Sequence, residues 1–126
     1  MDEIGQLYAA VGEETLRSMV SGFYRRVKSD DIIGKMYPPD DWAGAEHRLA
    51  GFIIYRFGGP QTYLEERGHP RLRGRHMPFS IGEAERDRWL LLMGQAMVEA
   101  QVPAAQVPTI TTFFTQVADM MRNREG

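Results

Sequence analysis

The stretch RGHPRLRGRHMPFSI, residues 67–81, places two of the chain's three histidines among four arginines and two prolines. Between Pro70 and Pro78 there is room for about two helical turns, and Gly74 weakens even that short helix. The stretch belongs to a longer segment, residues 58–80, that glycines and prolines interrupt repeatedly. A connection this long inside a small domain is usually functional or disordered. Its apolar side chains predict that this one is ordered.

Helical periodicity lies on both sides of this segment and predicts an all-α chain. Apolar residues recur three and four positions apart in four stretches, at residues 16–27, 45–53, 89–100 and 110–121. Ser80 and Glu83 match the Ser-x-x-Glu capping box just before the third stretch. The pattern therefore predicts four substantial helices, in two sequential pairs, within a single domain over residues 1–126.

Length, charge and composition limit the function classes. A chain of 126 residues is long enough for one core, and its net charge of −2 gives no reason to expect nucleic acid as a partner. The absence of cysteine excludes disulfides, thiolate metal sites and covalently attached c-type haem. The acidic start, MDEIGQLYAAVGEE, is unlike a signal peptide, and no apolar run is long enough to cross a bilayer. We therefore expect a cytoplasmic protein that does not enter membranes.

The histidines and arginines of residues 67–81 admit several interpretations. Zinc binding by His69 and His76 lacks local third and fourth ligands. A catalytic histidine needs a partner, and Glu83 and Asp87 are near only in sequence. A solvated basic loop remains the plainest alternative.

Haem explains more of the chain than these alternatives do. It needs an axial imidazole, cations for two propionates and a large apolar slot. His76 can supply the imidazole, and Arg73 and Arg75 flank it. The 8 Met, 6 Phe, 5 Tyr and 2 Trp can line a slot, although such residues at helical spacing more often form an ordinary core. The residues alone leave haem as a hypothesis.

Several motifs, in order, resemble those of the group II truncated haemoglobins. They are GFY at 22–24, MYPPDDWAGAEHRL at 36–49, FGGPQTY at 57–63, RGHPRLRGRHMPFSI at 67–81 and ERDRW at 85–89. The resemblance covers the whole chain and is most specific from Gly58 to Ile81. It implies a globin-like, two-over-two helical sandwich that carries haem b, and it makes residues 67–81 the proximal wall of the haem pocket.

The resemblance also assigns roles to individual residues. His76 matches the proximal iron ligand, whereas His69 matches a histidine that does not bind iron. The implied haem contacts are Tyr37, Arg48, Leu49, Phe52, Ile53, Tyr63, Arg75 and Phe79, with Arg48, Tyr63 and Arg75 as candidates for the propionates. The implied distal residues, which face the gas ligand, are Tyr24, Tyr37, Ala45, Leu49 and Trp89. Ala45 stands where many globins have a hydrogen-bonding side chain.

Two departures from the usual group II pattern are visible. Arg56-Phe57 replaces an aromatic pair before the Gly-Gly-Pro turn, and Gly74 replaces a bulky residue. The first can alter the haem edge or a subunit contact. The second can loosen the orientation of His76.

The resemblance implies a protein that binds dioxygen at a penta-coordinate haem iron and that also takes nitric oxide, carbon monoxide or peroxide. Oxygen transport is one role that the resemblance implies, but several hydrogen-bond donors around one ligand suit slow release, sensing or redox chemistry better than delivery. The alternative is a nitric oxide dioxygenase or a peroxidase-like enzyme that depends on an unidentified reductase. A homodimer and a cofactor-free helical interaction module are further possibilities.

Overall fold

The computed structural model describes residues 3–68 and 81–122, and every regular element within them is helical. The α-helices are α1 (Leu7–Val11), α2 (Glu13–Val27), α3 (Trp42–Arg56), α4 (Thr62–Arg67), α5 (Glu83–Glu99) and α6 (Val107–Met121). Short 3₁₀ turns occupy Ile4–Gln6, Gly34–Met36 and Ala104–Gln106. The prediction of an all-α chain with four substantial helices is confirmed, since α2, α3, α5 and α6 each have 15 or more residues. No helix in the described ranges combines the length and hydropathy required to cross a bilayer.

The four long helices pack through the apolar stripes that the sequence indicates. Helix α2 contacts both α3 and α5, while α5 also packs on α6 and α3 on α4. Side chains from different helices meet in one core, where Phe23, Ile53, Phe57, Met93 and Ile110 are all less than 2% exposed. Because α2 lies against both α3 and α5, residues on these three helices can face a common space.

The start of α5 and the segment after Gly58 differ from the sequence prediction. Helix α5 begins at Glu83 with Gly82 as its N-cap, and the Gly82 N–H donates to Glu85 Oε1 at 2.7 Å. The carboxylate that closes this end is therefore Glu85 and not Glu83, while Ser80 lies outside the described residues. Helix α4 also shows that the segment after Gly58 contains a regular turn and a half rather than only irregular chain.

The end of α3 is fixed by a close approach to the N-terminal segment. The Tyr8 N–H donates to the Phe57 carbonyl at 2.8 Å, and Gly58 follows with a φ of +97°. A Cβ at Gly58 would lie 2.0 Å from the Gly5 carbonyl oxygen. Gly58 is therefore required both by its backbone conformation and by the lack of space for a side chain.

We expect Gly58→Ala to lower the free energy of unfolding more than Gly12→Ala does. Gly12 has a similar φ of +94° but no atom within 4 Å of its would-be Cβ. Its substitution therefore carries only backbone strain, about 1–3 kcal/mol, whereas Gly58→Ala adds about 1–3 kcal/mol of overpacking. Gly94→Ala, in the interior of α5 with open space around it, should instead stabilise by roughly 0.5–1 kcal/mol. Urea unfolding of the four proteins tests this ranking, and equal losses at Gly58 and Gly12 would contradict it.

Candidate functional site

A cavity of about 360 Å³ lies among the helices, within the size range of ligand and cofactor pockets. Every long helix contributes to its wall, together with α4 and the chain around the Gly34–Met36 turn. Most of the described lining is apolar or aromatic: Tyr24, Ile33, Met36, Tyr37, Pro38, Ala45, Leu49, Phe52, Tyr63, Ile81, Trp89, Phe114, Val117, Ala118 and Met121. Four charged side chains complete the described lining: Arg48, Arg67, Glu85 and Arg86.

The cavity brings together most of the residues that the sequence singles out. Eight of them line it: Tyr24, Tyr37, Ala45, Arg48, Leu49, Phe52, Tyr63 and Trp89. Ile53 has 0% exposure within the core and is not among the described lining residues. His69, Arg75, His76 and Phe79 lie outside the described residues. The juxtaposition agrees with a common site, while the individual roles stay predictions.

Three of the predicted distal side chains, Tyr24, Tyr37 and Trp89, lie together at one wall of the cavity. The Tyr24 and Tyr37 rings meet edge to face, with their centroids 5.5 Å apart. The Tyr37 hydroxyl interacts with both the Trp89 indole, which can only donate a hydrogen bond, and the Tyr24 hydroxyl, and both neighbours lower its pKa. Tyr37 is therefore the centre of this distal triad, defined as Tyr24, Tyr37 and Trp89.

Both tyrosines of the distal triad stay protonated around neutral pH. Burial raises the pKa of Tyr24 far above its ordinary value, and the neighbouring Tyr37 raises it further. Burial also raises the pKa of Tyr37, to about 12, although its interactions with Trp89 and Tyr24 act in the opposite direction. Both hydroxyls therefore keep the proton that a ligand in the cavity could accept.

Aromatic packing fixes the indole of Trp89 in the triad. Its ring lies 5.0 Å from the Phe23 ring and 5.2 Å from the Phe114 ring, centroid to centroid. Ring pairs at these separations pack closely and limit rotation. The direction of the indole N–H is therefore set by the core.

Charged groups at the cavity are held by surface carboxylates. Arg48 Nη2 donates to Asp41 Oδ2 at 3.0 Å, and Arg86 Nη1 donates to Asp119 Oδ1 at 2.7 Å. Sequence reasoning selected Arg48 but missed Arg67 and Arg86. Arg86 lies inside the quoted ERDRW motif, three positions before Trp89 and therefore on the same side of the helix, and this spacing is the signal that could have found it. Three guanidinium groups at an apolar cavity suit a ligand with an apolar body and anionic groups.

Part of the cavity wall comes from α6, to which the sequence assigned no ligand contact. Phe114, Val117, Ala118 and Met121 recur at helical spacing and line the cavity. Their pattern does not distinguish a face that covers other side chains from one that covers a ligand.

The described wall fits haem in three respects. It provides an apolar slot, cations for carboxylate groups and polar hydrogens at one side. His47, the histidine within the described ranges, is on the surface with its Nε2 3.0 Å from Glu66 Oε1, so it is unsuited to bind iron in this cavity. The axial ligand is therefore expected from residues 69–80, as the sequence indicates.

Comparison with known proteins places this architecture among the short globins. Residues 6–123 match the bacterial-like globin family. Over 90 residues the chain is 41% identical to the group 2 truncated hemoglobin YjbI of Bacillus subtilis, covering 71% of this chain and 67% of that protein. It spans just over half the length, 55% and 53%, of its relatives from Lotus japonicus and Arabidopsis thaliana.

Solved structures resemble the fold closely. The hemoglobin of Chloroflexus aurantiacus superimposes with a TM-score of 0.90 at 42% identity, covering 94% of this chain and 98% of the other. A truncated oxygen-avid haemoglobin from Bacillus subtilis gives a TM-score of 0.89 at 34% identity, covering 94% and 99%. The predicted globin-like, two-over-two fold is confirmed by these likenesses.

Proposed function

Since the chain belongs to the bacterial-like globin family, whose haemoglobins carry haem, we propose that it binds dioxygen and releases it slowly. The oxygen-avid relative from Bacillus subtilis supports dioxygen as the ligand. The single observation that carries the proposal of slow release is the distal triad, in which three polar hydrogens meet at one wall of an otherwise apolar cavity.

Haem supplies the iron that takes up the gas, and the side chains of this chain decide how it is held. We propose His76 as the axial ligand. Arg48, Tyr63 and Arg75, together with Arg67 and Arg86 at the cavity, are candidates to bind the propionates. Leu49 and Phe52 provide apolar contact with the ring system and exclude water, while Ala45 leaves the space beside the gas site open.

The distal triad acts through charge. Dioxygen gains negative charge when it binds ferrous haem, and a polar hydrogen aimed at it stabilises that charge. A hydrogen bond to a charged partner contributes about 1.5–3 kcal/mol, and about 1.4 kcal/mol corresponds to a tenfold change in affinity or release rate. Two such bonds would slow release by orders of magnitude, which makes a delivery role unsuitable.

Slow release of dioxygen also favours a second function, the oxidation of nitric oxide or a peroxidase-like reaction. A ligand that is held for long can meet a second reactant before it leaves. Such a role requires an electron-donating reductase as partner. Turnover of nitric oxide in the presence of dioxygen and a supplied reductase distinguishes this enzyme from a binding protein.

We expect the purified protein to take up one equivalent of haem with a sharp Soret band. The reduced form should bind dioxygen reversibly and release it slowly when carbon monoxide replaces it in stopped flow. A chain that fails to bind haem would exclude the globin function. Haem uptake with immediate oxidation by dioxygen would exclude oxygen storage and favour the redox role.

A further inference from the structure

Asp30 is the buried charged residue within the described ranges, and its two carboxylate oxygens serve different segments. Its side chain is 1% exposed. Oδ2 accepts hydrogen bonds from the backbone N–H groups of Ile32 at 3.0 Å and Ile33 at 2.9 Å. Oδ1 accepts a hydrogen bond from Nε of Arg88 on α5. One carboxylate therefore joins the turn after α2 to a helix that lies 58 residues further along the chain.

Both segments that Asp30 joins carry members of the distal triad. On one side, the Gly34 N–H donates to the Asp30 carbonyl at 3.1 Å and the Tyr37 N–H donates to the Gly34 carbonyl at 3.4 Å. Tyr37 is thus two backbone hydrogen bonds away from Asp30. On the other side, Arg88 directly precedes Trp89. The ion pair therefore joins the two backbone segments that carry Tyr37 and Trp89, whose side chains interact at the cavity.

We propose that Asp30 and Arg88 are positioning residues that hold Tyr37 against Trp89 and thereby set the rate at which the cavity releases dioxygen. This inference rests on the proposed function. Neither residue is among the described lining of the cavity, so each acts through the triad and not on the ligand itself. A small displacement of either segment changes the donor geometry, on which the strength of a hydrogen bond depends steeply.

The carboxylate of Asp30 is ionised at neutral pH despite its burial. Burial raises its pKa, but the donors Ile33, Arg88 and Ile32 together outweigh that effect and lower the pKa below its ordinary value. A buried charge with all its donors in place resists displacement, because moving any segment leaves it unsatisfied. The ion pair is therefore suited to fix the distance between the turn after α2 and helix α5.

A second ion pair, between α2 itself and α5, provides a control. Arg25 Nη2 on α2 donates to Glu99 Oε1 on α5 at 2.6 Å, and Arg26 donates to the same oxygen. These residues are not among those that line the cavity. Glu99 is the last residue of α5 and Trp89 lies in its first half, so Glu99→Gln perturbs the α2–α5 contact away from Trp89 and from the turn that carries Tyr37.

The test compares Arg88→Met, Arg88→Lys, Asp30→Asn and the control Glu99→Gln in the haem-loaded protein. We expect Arg88→Met to speed dioxygen release by about threefold to tenfold, the loss expected when donor geometry weakens. It should also shift the carbon monoxide stretching band and the Trp89 indole N–H resonance in the carbon monoxide form. Arg88→Lys keeps a donor and Asp30→Asn keeps an acceptor. Their release rates, infrared bands and indole resonances should therefore lie between those of Arg88→Met and of the wild type. Glu99→Gln should leave all three quantities nearly unchanged.

A purely structural role gives a different result. In that case Arg88→Met and Glu99→Gln both lower the melting temperature but leave the release rate, the infrared band and the indole resonance unchanged, which would overturn the inference. Should Arg88→Met fail to fold, the same comparison is made with Arg88→Lys and Asp30→Asn, and wild-type values in both also overturn it. Failure of the proposed function is seen separately, because then the wild type itself neither binds haem nor retains dioxygen.

Discussion

Replacing Trp89 by Phe should speed dioxygen release by about tenfold or more, which is the expected loss of one good hydrogen bond to a partly charged ligand. The indole N–H is the rigid donor of the distal triad, since Phe23 and Phe114 pack on its ring. Phenylalanine keeps aromatic packing at this position but has no donor. Stopped-flow replacement of dioxygen by carbon monoxide measures the effect directly.

Substitution of the tyrosines should have smaller effects than substitution of Trp89. Tyr37→Phe or Tyr24→Phe removes one donor, and the remaining donors of the triad can reorient onto the ligand. Trp89→Phe removes the donor whose direction is fixed by aromatic packing. Effects within such a group are not additive, and the double variant Tyr37→Phe/Trp89→Phe should exceed the sum of the two single changes in free energy.

Carbon monoxide provides the control for this prediction because it carries less charge when bound. Its dissociation should change less than that of dioxygen in each variant. If the two gases respond equally, the rings act as a steric gate, and if neither responds, the triad is only part of the core.

Replacing His76 by Ala should abolish most haem retention, or leave a spectrum that added imidazole restores. The expectation comes from the match of RLRGRHMPF to the proximal motif, and from the surface position of His47, which pairs with Glu66. His76 would hold the iron of the cofactor, and its substitution would remove that bond. Haem transfer to apomyoglobin, followed at the Soret band, measures the retention.

Two histidine controls make the assignment specific. His69→Ala and His47→Ala should both retain haem, because His69 matches a histidine that does not bind iron and His47 lies away from the cavity. Haem loss in His69→Ala together with retention in His76→Ala would show that the axial ligand has been assigned to the wrong residue.

The sequence predicts the helices well because periodicity directly encodes which face is buried. Leu16, Val20 and Phe23 recur at helical spacing and are all buried on α2. Periodicity does not show what a buried face covers. Ile53, for which the resemblance implies a haem contact, is buried in the core and is not among the described lining residues, so that contact stays a prediction. Phe114 and Val117 of α6, to which the sequence assigned no ligand contact, line the cavity.

Polar contacts between neighbours in sequence follow local patterns, whereas contacts between distant residues do not. Asp30 accepts hydrogen bonds from the backbone N–H groups of Ile32 and Ile33, which is a local arrangement that aspartate commonly forms. Its third donor, Arg88, is far away in sequence, and no local pattern indicates such a pairing. For the same reason the residues of the distal triad could be proposed from a resemblance, but their contacts with one another could not.

The contribution of α6 to the cavity has a consequence for the order of events during protein synthesis. Phe114, Val117 and Met121 follow every other described part of the wall in the chain. A nascent chain therefore emerges from the ribosome with the rest of the wall exposed and one side missing. Domains fold as units, so we expect cofactor capture to begin only after α6 has left the exit tunnel. Until then the open apolar wall is a natural target for chaperones.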